Sequence, residues 1–80
     1  MIDALIVARG YNMIIKLYTL PTCGICKIIK KKFQNKNISY EELNLEQYSN
    51  ILNTDHAPVL QVDDKFYFTP ARINDWINNQ

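Results

Sequence analysis

Eighty residues, 48 % of them hydrophobic, with a net charge of +1, suit one domain with a thin core that buries only about 60 % of the surface its unfolded chain exposes. The near-neutral balance gives no electrostatic case for nucleic acid, an acidic partner or a lipid surface, and nothing approaches the ~20 apolar residues of a membrane span. The only two cysteines, Cys23 and Cys26, lie too close to staple a secreted domain, because a tiny loop removes little unfolded-state entropy.

Residues 1–12 begin Met1-Ile2-Asp3-Ala4-Leu5-Ile6-Val7-Ala8-Arg9. With no basic start, a short apolar run and an acid at position 3, they make a poor secretory signal. They read as an N-terminal extension ahead of a domain spanning 13–80: extra coding sequence, an expression remnant, or an added edge strand through Leu5-Ile6-Val7. Ile14 to Thr19 is β-branched and aromatic, as a buried central strand should be, and Pro21 stops it. From Gly24 to about Lys36 the apolar residues Ile25, Ile28, Ile29 and Phe33 recur at helical spacing, with a run of lysines forming a solvated face.

Ile38 to Leu43 alternates like a half-exposed strand after the turn Asn35-Lys36-Asn37. Asn44 can cap a second helix whose inner face is Leu45, Tyr48, Ile51 and Leu52. Pro58 to Val62 reads as a third strand, Asp63-Asp64-Lys65 as a turn, and Phe66 to Phe68 as a short fourth strand. Thr69 caps a last helix with Pro70 at its first position, where a missing N–H costs nothing; Ile73, Trp76 and Ile77 give it an apolar side. The order is β-α-β-α-β-β-α. The first two strands, joined through a helix, should be parallel with a right-handed crossover, and the last two should form a hairpin. This is an α/β class: a four-stranded mixed sheet flanked by three helices, resembling the thioredoxin fold in its minimal form.

The run Leu20-Pro21-Thr22-Cys23-Gly24-Ile25-Cys26-Lys27 places a C-x-x-C where a strand ends and an amphipathic helix begins. At that junction the pair reads as a thiol–disulfide exchange centre. Cys23 lies at the helix N-terminus, where unpaired N–H groups and the helix dipole favour a thiolate. Lowering a cysteine pKa from ~8.5 to ~7 raises the thiolate fraction at neutral pH to about half, for only ~2 kcal/mol. Cys26, a turn further in, should be buried. Cys23 then attacks a substrate disulfide, and Cys26 resolves the mixed disulfide.

Strand, C-x-x-C, helix and then Ala57-Pro58-Val59 before a hairpin resemble the glutaredoxin family from about Ile14 to Ile77, and within it the small redoxins, including those serving ribonucleotide reductase. The resemblance implies a cis Pro58 beside the disulfide, with the N–H and C=O of Ala57 open to an extended substrate; an ordinary strand-starting proline is the alternative. Thr22, Gly24 and Ile25 should modulate the centre, Gly24-Ile25 standing where glutaredoxins usually have Pro-Tyr and thioredoxins Gly-Pro. His56, the only histidine, either influences Cys23 or is an exposed loop residue. Leu20 stands where glutathione-dependent members often have a basic residue, and their Gly-Gly turn is missing. The helix start at Thr69, with Arg72, offers N–H groups and a cation to an anionic or peptide tail.

The implied protein is a cytoplasmic, monomeric dithiol oxidoreductase and electron carrier with no bound cofactor, no metal and no nucleic-acid or membrane partner. It would reduce disulfide-bearing proteins, ribonucleotide reductase among them, with electrons from glutathione or a flavin-dependent thioredoxin reductase. Competing readings are a zinc or iron–sulfur site shared between two chains, with His56 as third ligand, and a non-catalytic partner-binding module. The arsenate-reductase-like branch shares the pattern Tyr18-x-x-Pro21-x-Cys23-x-x-Cys26, but its longer chains carry a helical insertion that eighty residues leave no room for.

Overall fold

In the computed structural model, β1 (Ile15–Thr19) runs through a four-stranded sheet of order β2-β1-β3-β4. The structure describes residues 13–80; residues 1–12, with the candidate strand Leu5-Ile6-Val7, lie outside them. β2 (Glu41–Asn44) pairs parallel to β1, with Lys16 opposite Glu41 and Thr19 opposite Asn44. β3 (Val59–Val62) pairs antiparallel on the other side, Tyr18 opposite Val59, and β4 (Lys65–Tyr67) closes the hairpin with Leu60 opposite Tyr67. The helices are α1 (Gly24–Asn35), α2 (Ser49–Leu52) and α3 (Pro70–Asn78). Among the described residues no helix is long and apolar enough to cross a membrane.

Alternation along β1 divides the core. Leu17 faces one side, where Ile29 and Phe33 of α1 and Ile73 and Ile77 of α3 join Leu60 and Val62. Tyr18 faces the other, packing with Val59 and Leu45 and, at the margin, Tyr48 and Leu52. Helices α1 and α3 thus cover one face, and the turn after β2 with α2 covers the other.

The structure corrects four details of the sequence reading. The buried stripe of α1 is Cys26, Ile29 and Phe33, while Ile25 and Ile28 are 47 % and 58 % exposed. Both sets recur at helical spacing; the choice turns on drawing Cys26 inside. The expected second helix breaks at Tyr48 into a short 3-10 helix, Leu45–Gln47, and the single turn of α2. Asn53 ends it in the left-handed region at φ 57°, and Ile51 is left exposed rather than buried.

β2 begins at Glu41 rather than Ile38, because Ile38 is used to end α1. The N–H of Asn37, at φ 57°, donates to the carbonyl of Gln34, and that of Ile38 to the carbonyl of Phe33 at 2.9 Å, a Schellman ending with its usual apolar contact. The hairpin turn is Asp63-Asp64 alone, so Lys65 belongs to β4 and Phe68 lies beyond it. Asp63, at φ 56°, ties that turn to the start of β1: its carboxylate accepts the N–H of Ile14 and its own N–H donates to Ile14's carbonyl, both at 2.9 Å.

Glu42 fastens β2 to its neighbours. The buried Thr19 hydroxyl donates to its carboxylate at 2.7 Å, and Lys30 Nζ does so at 3.0 Å. The Thr19 hydrogen bond first, then Lys30, hold its carboxyl below the ordinary value of 4.5. The unfolded chain therefore takes up this proton more readily, so the contribution is complete above that value and is lost as pH falls through the lower folded one. Glu42→Gln should flatten the acid limb of stability below about pH 4.5, with a loss at neutral pH of no more than about 1 kcal/mol for so exposed a pair. Urea unfolding across the acid range measures both.

Candidate active site

β1 delivers the chain to the turn Leu20-Pro21-Thr22, which closes when the N–H of Cys23 donates to the carbonyl of Leu20 at 3.1 Å. Cys23 is the N-cap of α1, its backbone extended, and its Sγ accepts the N–H of Cys26 at 3.1 Å. A sulfur thus stands where a serine or aspartate oxygen usually satisfies the first turn. No acidic side chain occupies that turn. The two cysteines are joined in a disulfide with their Cα atoms 5.3 Å apart. Their exposures differ: Cys23 is half-buried and Cys26 is 1 % exposed. One sulfur faces visitors and the other is reached only through it.

The sheet register gathers the other candidates at this end. Because β3 runs antiparallel to β1 with Val59 opposite Tyr18, Ala57 and Pro58 enter beside the end of β1. Pro58 is fully buried, and the Ala57–Pro58 peptide is cis. Among the described residues the N–H and C=O of Ala57 have no hydrogen-bond partner. β4 leaves the sheet at the same end, so Thr69 lies about two strand spacings, ~10 Å, from β1. Thr69 Oγ1 is taken up in capping α3, accepting the N–H of Arg72 at 3.2 Å. Arg72 borders a depression with Tyr67, Asp75, Trp76 and Asn79 and is not among the residues lining the cleft beside the reactive turn.

Thr22, Gly24 and Ile25 all surround Cys23 as exposed residues. A side chain at Gly24 would meet nothing within 4 Å, so sterics do not demand glycine there. His56 is turned to solvent, with Nε2 3.5 Å from Asp55. Among the described residues no three His, Cys, Asp or Glu side chains are grouped to hold a metal ion. Sequence reasoning missed Leu45, Glu46, Ser49 and Asp55, which with Leu20 and Thr22 line a cleft of about 600 Å³ beside the reactive turn. The signal was available: a strand parallel to β1 must end where β1 ends, so the residues after the Asn44 cap had to rise beside Cys23.

The sequence model of glutaredoxins matches residues 15–67, about two thirds of the chain. The chain belongs to the glutaredoxin family. In a glutaredoxin, a disulfide between Cys23 and Cys26 at the head of α1 is the redox centre of a thiol–disulfide oxidoreductase. Glutaredoxin 1 from Francisella tularensis, solved with cacodylate, is 25 % identical with a TM-score of 0.65, the match covering 85 % of this chain and 99 % of that one. The glutaredoxin-like NrdH-redoxin from Escherichia coli is 23 % identical with a TM-score of 0.59, covering 76 % and 91 %. A Nu-class glutathione transferase from Haemonchus contortus shares the fold at 22 % identity and a TM-score of 0.70; the match covers 84 % of this glutaredoxin, which spans only 35 % of the transferase. A search of curated proteins finds no match to the sequence.

Proposed function

We propose that this glutaredoxin reduces disulfides in other proteins by a two-thiol route, with Cys23 as nucleophile and Cys26 as resolving thiol. The observation that carries the assignment is the asymmetry of the pair: a half-buried sulfur at the helix N-terminus, accepting an N–H, and a fully buried partner one turn on. In the reduced protein the same N–H and the helix terminus stabilise a Cys23 thiolate. That thiolate attacks one sulfur of the substrate disulfide; the S–S bond breaks, and the departing thiolate takes a proton from solvent. Cys26 then loses its proton and attacks the Cys23 sulfur, releasing the second substrate thiolate. Two electrons and two protons have passed to the substrate, and the Cys23–Cys26 disulfide is the oxidised product.

A reductant must then restore the dithiol. Leu20 in place of a cation, and the lack of a Gly-Gly turn before α3, favour a flavin-dependent thioredoxin reductase over glutathione. The Escherichia coli neighbour, described as glutaredoxin-like with a thioredoxin-like activity profile, supports that preference. A cytoplasmic setting and a monomeric carrier fit the reading, since the pair must be re-reduced after each turnover. Ribonucleotide reductase is one protein whose disulfide such a carrier serves.

NADPH consumption during reduction of a protein disulfide tests this directly, with glutathione plus glutathione reductase in one arm and thioredoxin reductase in the other. Turnover confined to the second arm is expected. Turnover in the glutathione arm reverses the electron source, and silence in both removes the activity. Cys26→Ser should still make the first attack but not the second, so the substrate–Cys23 adduct accumulates and is seen by intact mass spectrometry.

A further inference from the structure

We propose that the cleft beside the reactive turn reads charge, admitting a substrate segment that carries a basic side chain next to its disulfide and turning away anionic thiols such as glutathione. The inference rests on the redoxin reading above and names the substrate class of the same centre. The floor of the cleft is Leu20 and Leu45, and its rim is Thr22, Ser49, Glu46 and Asp55. It begins one residue from Cys23. Among the described residues no lysine or arginine lines it, although the protein carries nine of them. Lys27 and Lys30 border a separate depression across the Leu20-Pro21 ridge, Lys30 is already paired with Glu42, and His56 Nε2 lies 3.5 Å from Asp55 at the rim.

The path of a substrate selects this cleft over that depression. Ala57, whose N–H and C=O lack partners among the described residues, packs with Leu20 against the cluster of Tyr18, Leu45 and Val59. An extended segment pairing with Ala57 therefore runs on the face of the sheet where Leu45 floors the cleft, and its neighbouring side chain enters between Glu46 and Asp55. A lysine or arginine there lays its methylene stem on the two leucines and its charge against the carboxylates. Glutathione, with two carboxylates and one ammonium, brings net negative charge to the same place. The side chain of Asp55 is 87 % exposed, so each contact is screened and moderate; two acting together bias encounter and orientation rather than switch binding on.

The test uses reduced protein and three synthetic decapeptides, each closed by one internal disulfide and differing only in a lysine, glutamine or glutamate beside the cysteine to be attacked. Loss of protein thiols is followed by quenched alkylation and mass spectrometry, so no reductase is needed. At about 0.01 M ionic strength, where screening extends about 30 Å, the lysine peptide should react about tenfold faster than the glutamate one, the scale of two exposed charge contacts. Glutamine should fall between them. The spread should collapse near 1 M salt, and Glu46→Lys with Asp55→Lys should invert the order and speed the reaction with glutathione disulfide. Equal rates for the three peptides at low salt, or an order unchanged in the double variant, would overturn the proposal. If the glutamine peptide is inert towards the unaltered protein, the oxidoreductase reading fails first, and the charge reading with it.

Discussion

Cys23→Ser is expected to abolish reduction of every disulfide substrate, with a loss of three orders of magnitude or more in the thioredoxin-reductase arm. Serine cannot form the mixed disulfide, and Cys26, at 1 % exposure, is too enclosed to take over the first attack. The substitution should not unfold the protein. Cys23 is the N-cap of α1, accepting the N–H of Cys26, and a serine hydroxyl is among the best groups for that task. The expected signature is lost NADPH consumption beside a thermal transition close to that of the reduced parent. Residual activity above about one per cent would mean that Cys26 attacks first, reversing the roles assigned from burial.

The second large effect falls on stability. Phe33→Ala should cost about 3–5 kcal/mol, most or all of what a domain of this size holds in reserve. Phe33 is fully buried, meets the ring of Tyr40 edge-on at a centroid distance of 4.8 Å and lies 6.1 Å from the ring of Trp76. Its carbonyl accepts the N–H of Ile38 that ends α1. Removing the ring opens a cavity between both helices and the approach to β2, so α1, the helix that presents Cys23, loosens with the rest. Urea titration followed by Trp76 fluorescence should find the variant largely unfolded at 37 °C. Ile28→Ala is the matched control: an aliphatic loss from the outside of the same helix, with a shift below about 1 kcal/mol.

The contrast between Phe33 and Ile28 also marks what could be read before the fold was seen. Element order, strand polarity and the caps at Asn44 and Thr69 are local matters, carried by β-branched runs, side-chain oxygens and one proline, and they were legible. The Cys23–Cys26 pair was legible because its chemistry needs a strand-to-helix junction. The buried stripe of α1 was legible only at Cys26, expected inside for its chemistry and found 1 % exposed; by periodicity Ile25, Ile28, Ile29 and Phe33 fit as well as Cys26, Ile29 and Phe33 do. The phase was decided by what lay across the interface. Ile38 was misread for a related reason: its alternation with Tyr40 suits a strand, but its N–H is committed to the carbonyl of Phe33, five residues earlier, in closing α1. Glu46 and Asp55 were overlooked because nothing local distinguishes a charge at a cleft rim from one in open solvent.

The tie between Asp63 and Ile14 lies at the pole of the sheet opposite the thiols, about six extended residues, ~20 Å, from the Leu20 turn. The hydrogen bonds of Lys32 to Asn74 and of Lys36 to the carbonyl of Gln80 set α3 alongside α1 with the same polarity, so Gln80 also finishes at that far pole. A tether attached after Gln80, to a surface, an electrode or a fused reductase, therefore leaves the reactive face pointing outward.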